Sequence, residues 1–370
     1  MRVRILHIIG SLQTGGAESA LTRICQATRA TGLDHQVLVL GRTGPLERDL
    51  LNAGVPVLAP RVRPLDWVGV MDLPGWRPQV LQGWMYHGSL AALALRSVWF
   101  PSASLVWNIR CGLDTPSLYR HSTRSLIRLL ALLSSVPDRI LYNAVSARMG
   151  HEEVGYARCW GEVIPNGFDL EAFRPDPASH ASLRVELGLP AEVPIVGFIA
   201  RFHAEKNPGL FLGALARLPR EVHGLLAGPG MVPGNRALLG QVELLGLQDR
   251  VHLVGERRDM PRVMSALDLA VSASWNEGFS NALGEAQACG VPCVATDVGD
   301  SALIIGSLGR LVPPGDEEAM AASLSELLGL PPEARLALGR RCRQRMEALY
   351  SLPSVGQRYS GLYHRLAARL

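Results

Sequence analysis

Lysine is nearly absent from this chain. Of its 37 basic side chains one, Lys206, is a lysine and the other 36 are arginines. Charge of either sign is sparse as well. Charged residues make up 19% of the sequence and leave a net +4 with no concentrated basic block. That balance suits an anionic ligand or a membrane surface and is too weak and too spread out to argue for nucleic acid. Cysteines are few and scattered. Cys25, Cys111, Cys159, Cys289, Cys293 and Cys342 form no C-x-x-C pair, and Cys289 and Cys293 lack further ligands nearby in sequence. They read as buried thiols of a reducing cytoplasm. No run of about 18 apolar residues is free of charge, so no segment is expected to span a membrane. Met1–Gly10 reads as a first strand, too short for a signal peptide. An Asp-x-Asp motif is also missing, so no bound divalent metal is expected.

What is present is an alternation of apolar strands and helices. With 370 residues and 48% hydrophobic content, two domains with sizeable cores are expected. In the first half, Val3–Ile9, His35–Leu40, Val55–Ala59, Gln79–Gly83, Ser104–Asn108, Arg139–Asn143 and Val163–Pro165 read as strands. Helices are expected from Gly15 to about Thr31 and over Gly88–Trp99. Pro175, Pro177, Pro190 and Pro194 mark a linker that holds one short helix, Ala181–Leu187. The alternation then restarts at Ile195–Ala200 and runs to Pro292–Thr296, and a final helix is expected near Val355–Arg369. The pattern is α/β, with two Rossmann-like, doubly wound domains facing each other across a cleft. The expected boundaries are 1–168 for the first domain, 169–192 for the linker, 193–350 for the second domain and 351–370 for the last helix.

The lone lysine sits in Arg201-Phe202-His203-Ala204-Glu205-Lys206, directly after the strand Ile195–Ala200. Open α/β sheets bind ligands outside the carboxyl ends of their strands. A rigid guanidinium fork and a compact ammonium at that place suit a diphosphate. A second signal is Glu277-Gly278-Phe279-Ser280-Asn281-Ala282-Leu283-Gly284-Glu285, at a strand–loop–helix junction. Gly278 permits close backbone approach, and free N–H groups at the helix start can hold an anion. Glu285, about one turn in, can accept hydrogen bonds from sugar hydroxyls such as a ribose pair. An acid complementing the helix dipole would account for one glutamate, but not for both together with the glycines.

Arg201-x4-Lys206 followed by Glu277-x7-Glu285 resembles retaining glycosyltransferase family 4, of GT-B fold. The likeness extends to Gly15-Gly16-Ala17-Glu18, Ile164-Pro165-Asn166-Gly167-Phe168-Asp169, the segment Ala286–Gly299 and Leu311-Val312-Pro313-Pro314-Gly315-Asp316. The resemblance implies that Arg201 and Lys206 clamp a donor diphosphate and that Glu285 holds the ribose. It implies that Glu277 faces the donor sugar. Backbone of Gly278, Phe279, Ser280 and Asn281 would touch sugar or phosphate, Gly15 and Gly16 would close on the phosphates, and Gly255-Glu256-Arg257 would meet the base. It further implies a UDP-sugar in preference to other donors, no cofactor beyond that co-substrate, and a glycan or lipid-linked acceptor in polysaccharide assembly. The place of action would be the inner face of a membrane, with domain closure around the donor. One departure stands out: Arg110 occupies the position, after the strand Ser104–Asn108, where many relatives carry histidine. It is expected to contact phosphate or donor sugar, or else to form a structural ion pair. His87 is a second candidate at a strand end.

Arg120, Arg124 and Arg128 recur every four residues beside a crowd of leucines. Such a helix could lie on an anionic bilayer, although packing its apolar side in a core is the commoner use. Trp67, Trp76, Trp84 and Trp99 could stack on sugar rings, with core packing the default. An NAD-dependent oxidoreductase is disfavoured because Gly10 is followed by Gly15-Gly16 and not by G-x-G-x-x-G. A nucleotide-sugar epimerase of the same fold would need carboxylates placed for proton abstraction. A non-catalytic partner in a glycan-assembly complex is suggested by Arg110 alone, and the presence of Arg201, Lys206, Glu277 and Glu285 together speaks against it.

Overall fold

The computed structural model describes residues 2–59, 76–113 and 121–369. They form two compact units: Met1–Gly167 together with Leu352–Leu370, and Phe168–Ser351. The first unit is built on a seven-stranded sheet in the order β3-β2-β1-β4-β5-β6-β7. Its strands are β1 (Val3–Ile9), β2 (Leu33–Val39), β3 (Val57–Leu58), β4 (Val80–Trp84), β5 (Ser104–Ile109), β6 (Arg139–Tyr142) and β7 (Gly161–Val163). The second unit has six strands in the order β10-β9-β8-β11-β12-β13. These are β8 (Ile195–Ile199), β9 (His223–Ala227), β10 (Val251–Gly255), β11 (Leu269–Ser272), β12 (Cys293–Thr296) and β13 (Arg310–Val312). All pairings are parallel. In each unit the strand order reverses direction once, between β1 and β4 and between β8 and β11. A doubly wound sheet places its ligand crevice at that switch point.

Several expected elements begin or end elsewhere. The expected linker is folded into the second unit, because its helix, Pro177–Leu187, is anchored there. That helix starts earlier than its apolar pattern suggests, since Asp176 caps it by accepting from the Ala178 amide at 3.1 Å and Pro177 opens its first turn. Its Arg184 is buried and pairs with Asp268 at 2.6 Å, and it donates to the carbonyls of His180, Val193 and Ala266. Asp268 also accepts from the Ile195 amide at 2.8 Å, which fixes the start of β8. The helix expected at Gly88 starts at Met85, directly after β4. Met85 takes φ 58°, a left-handed conformation rare for a side-chain-bearing residue. Cys159 is exposed in a short turn, whereas Cys25, Cys289, Cys293 and Cys342 are buried.

The last helix, Leu352–Ala367, packs on helix Gly16–Ala27 and on β1 and β4, within the first unit. Its core face carries Val355, Tyr359, Leu362, Tyr363 and Leu366, all buried. The Tyr363 hydroxyl donates to Gln82 at 2.6 Å, and Tyr359 accepts from the Asn108 amide at 3.1 Å.

Candidate functional site

The loops that follow β8 and β11 flank the switch point of the second unit, and both carry residues expected to act. Lys206 ends a short 3-10 turn, Ala204–Lys206. The next residue, Asn207, is left-handed at φ 50° and caps helix Pro208–Ala216 through Leu210 at 3.3 Å. The turn therefore has a fixed exit, and the Lys206 stem is aimed at the β11 loop. Its ammonium lies 2.5 Å from Glu277 Oε1, with both side chains about four-fifths or more buried (20% and 14% exposed). Ser274 also donates to that carboxylate oxygen, at 3.0 Å. Two more contacts stitch the loops together: the Trp275 amide to the Glu205 carbonyl at 2.8 Å, and the Asn276 side chain to Glu205 Oε1 at 3.3 Å. Arg201 is left largely in solvent, 62% exposed, with Glu205 3.8 Å away.

A third loop, after β12, completes the floor. Gly299 has φ +56°, and a Cβ there would strike the carbonyl oxygens of Glu277 and Gly278. Only glycine lets this loop approach so closely. The neighbouring Asp300 amide donates to Gly278 O at 3.0 Å. Phe279 points its ring inward, stacked on Phe168 at 6.1 Å and edge-on to Tyr350 at 5.5 Å, so its backbone alone is offered outward. Ser280 precedes helix Asn281–Ala288, and its hydroxyl makes no capping bond to the first-turn amides. Glu285 lies one turn into that helix, half-buried.

Gly255 ends β10 at φ +68°, donating to Met231 O at 2.8 Å and accepting from the Gly228 amide at 2.7 Å. The loops after β9 and β10 are thereby tied together. Beyond Gly255 lies a ring of charges that sequence reasoning missed. Arg257 binds Glu186 at 2.5 Å and Asp259 at 2.7 Å, and Arg262 binds the same two acids at 2.7 and 3.0 Å. The hydrogen bonds from Arg257, before any other cause, hold the Asp259 carboxyl well below the usual range. Nothing in the spacing of these four residues signals the ring, because Glu186 lies 71 residues before Arg257.

The other predicted residues belong to the first unit. Gly15 precedes helix Gly16–Ala27, and Glu18 in its first turn accepts from Ser11 at 3.0 Å. Arg110 follows β5. Its guanidinium donates to Asn166, to Tyr359 at 3.3 Å and to Asn108 at 3.4 Å, and lies over the Trp84 ring at 5.5 Å. Burial, more than any neighbouring charge, lowers its pKa. His87 is exposed in the first turn of helix Met85–Val98. Trp84 is core, Trp76 donates to Asp34 at 2.7 Å, and Trp99 is 38% exposed. Trp67 and Arg120 lie outside the described residues. Arg124 and Arg128 lie on helix His121–Leu133, which buries Ile127, Leu130 and Ala131 and leaves Leu129 and Leu132 exposed.

Among the described residues, His7, Cys25 and His35 alone bring three potential metal-ligand atoms within 4.8 Å of one another. Their hydrogen bonds argue for a different use. The Trp84 indole N–H can only donate, so His7 Nδ1 accepts from it at 3.2 Å. His7 Nε2 then carries a proton and donates to His35 Nδ1 at 2.9 Å. His35 Nε2–H in turn donates to Thr28 Oγ1 at 2.9 Å, and Thr28 donates to the Ile24 carbonyl at 2.7 Å. Every imidazole nitrogen is used, and both rings are neutral: burial, chiefly, holds His7 well below the usual imidazole value and His35 at about 4.

Comparison with known proteins adds sequence and fold likenesses. Residues 193–329 match the family described as Glycosyl transferases group 1. The chain is 28% identical over 378 residues to a D-inositol 3-phosphate glycosyltransferase of Xylanimonas cellulosilytica, covering 93% of this chain and 87% of that protein. It is 34% identical over 211 residues to the protein of the same name from Mycobacterium marinum, covering 55% of this chain and 45% of that one. Among solved structures, Anabaena HepE in complex with UDP superposes with a TM-score of 0.86 at 21% identity, over 98% of this chain and all of that one. Sucrose-phosphate synthase from Thermosynechococcus elongatus superposes with a TM-score of 0.83 at 21% identity, over the whole of both chains. The shared fold is GT-B, with two parallel-sheet Rossmann-like domains.

Proposed function

Because the chain is a glycosyltransferase of GT-B fold, with residues 193–329 matching glycosyl transferases group 1, we propose that it moves a sugar from a UDP-sugar to a hydroxyl of a glycan or lipid-linked acceptor, with retention at the anomeric carbon. The observation that carries this reading is the Lys206–Glu277 pair at the β8/β11 switch point, 2.5 Å apart and largely enclosed. Lys206 and the solvent-facing Arg201 receive the donor diphosphate. Glu277, held by Lys206 and Ser274, sits beside the sugar and steadies positive charge at its anomeric carbon. Glu285 accepts from the ribose hydroxyls. In the reaction the bond from the anomeric carbon to the diphosphate oxygen breaks as the acceptor oxygen bonds to the same face. The departing phosphate oxygen takes the acceptor's proton. The charge that develops on the diphosphate is met by preorganised cations, so no metal and no cofactor is required in this scheme.

The relatives' names favour a phosphorylated polyol or sugar acceptor, and HepE, captured with UDP, favours the uridine base. Work at the cytoplasmic face of a membrane is supported by Arg128, Leu129 and Leu132, exposed side by side on one helix. Among the described residues no helix is long and apolar enough to cross a membrane. Calorimetric titration of UDP and GDP, without metal, into wild type and Lys206→Ala tests the proposal. Binding that weakens in the variant supports the donor site and selects the base. No nucleotide binding by the wild type would overturn it.

A further inference from the structure

We infer that Arg110 anchors an anion subsite in the first unit, built to take a phosphate group; the identity of that phosphate rests on the transferase reading above. The argument begins with how the chain treats its other enclosed arginines. Arg184 is paired with Asp268 at 2.6 Å. Arg250 is met by the carbonyls of Leu215, Leu218, Pro219 and Val222, where helix Pro208–Ala216 ends and its dipole is negative. Arg110 has neither kind of compensation. Among the described residues it forms no ion pair, and its partners Asn166, Tyr359, Asn108 and the Trp84 ring are all neutral. Its Nε is enclosed and has no hydrogen-bond partner among the described residues. A cation taken out of water without a counter-charge is costly. After the Tyr359 phenol, the neighbour that bears on it most is another cation, Arg23.

Location and shape say what would supply the missing charge. Arg110 lies just past the C-terminal end of β5, next but one to the switch point of its sheet, on the edge where doubly wound sheets bind ligands. The guanidinium is held from several sides, so it is oriented before a ligand arrives. A fixed fork of N–H donors matches phosphate oxygens in pairs. The residue as a whole is partly exposed, with Nε enclosed. Two phosphates fit this chemistry: the donor's diphosphate, or a phosphate carried by the acceptor.

Titrations of UDP, inorganic phosphate and glucose 6-phosphate into wild type, Arg110→Gln and Arg110→Lys, at fixed ionic strength, decide the matter. Arg110→Gln is expected to weaken at least one of these probes on the order of tenfold or more, with Arg110→Lys recovering part of the loss. Weakened UDP binding assigns the subsite to the donor. Weakened phosphate and glucose 6-phosphate binding with unchanged UDP binding assigns it to an acceptor phosphate. Thermal melts of each variant separate lost binding from lost folding, and Arg110→Lys serves if the glutamine variant does not fold. Equal binding of all three probes by wild type and a folded Arg110 variant, or no binding by any protein, overturns the subsite. A wild type that fails to bind UDP but binds phosphate through Arg110 would refute the UDP-sugar reading and leave the subsite standing.

Discussion

The single lysine of the chain, Lys206, places its ammonium 2.5 Å from Glu277. The pair joins the loops after β8 and β11, the two strands that flank the switch point of the second sheet. An ammonium is small enough to serve a carboxylate and an incoming phosphate from one position, and a guanidinium fork is not. Lys206→Ala is expected to lower turnover on the order of a hundredfold. Lys206→Arg should recover little of it. Steady-state rates near wild type in either variant would remove Lys206 from the donor site.

Gly299→Ala should be destabilising by more than about 1 kcal/mol, because φ +56° disfavours any side chain and the new Cβ meets two carbonyl oxygens. The strain falls on the Glu277–Gly278 backbone, so nucleotide affinity should drop along with the urea midpoint. An unchanged midpoint would mean that the loop moves aside freely.

Asp268→Ala should cost roughly 3–5 kcal/mol, since it leaves Arg184 buried without its counter-charge. The damage should be larger than that from losing an exposed pair such as Arg310–Glu326, whose charges stay in solvent. Denaturant titrations of the two variants give the comparison directly.

Stability should fall as pH drops from 7 towards 4. Burial holds His35 and His151 at about 4 and His7 well below the usual imidazole value. Between about 6.5 and 4 the unfolded chain takes up protons at these positions while the folded chain does not, so each contributes about 1.4 kcal/mol of loss per pH unit. Below the folded values the contribution levels off. His35→Asn should make the pH slope of the urea midpoint shallower than in wild type, and an identical slope would show that the buried pair is not neutral.

Replacing Arg124 and Arg128 with Gln should weaken binding to anionic vesicles and leave neutral vesicles unaffected. Leu129 and Leu132 remain exposed in that variant, so any residual binding would report the apolar part. Co-sedimentation that is the same before and after replacement would make the helix a packing element only.

The units and most strands were legible because parallel strands buried on both faces appear as short apolar runs, as in Ile195–Ile199. Helix starts were less legible. Met85 enters a helix from a left-handed turn, which no propensity favours, and Pro177 begins one through a cap that lies outside the apolar pattern. Of the site, the Arg201/Lys206 and Glu277/Glu285 spacings were readable since each lies within one loop–helix junction.

The sequence by itself determined which loops carry charge and which apolar runs become strands, because these follow from local order along the chain. Tertiary structure alone decided which charges meet. Lys206 and Glu277 are 71 residues apart, Arg110 and Tyr359 are 249, and His7 and Trp84 are 77. Each pair is brought together by parallel strand packing or by the return of the last helix to the first sheet. Among the described residues, the same packing leaves Arg110 without a carboxylate and gives Arg184 one. No spacing rule encodes that difference, because it depends on which distant side chain lies within 4 Å of each guanidinium.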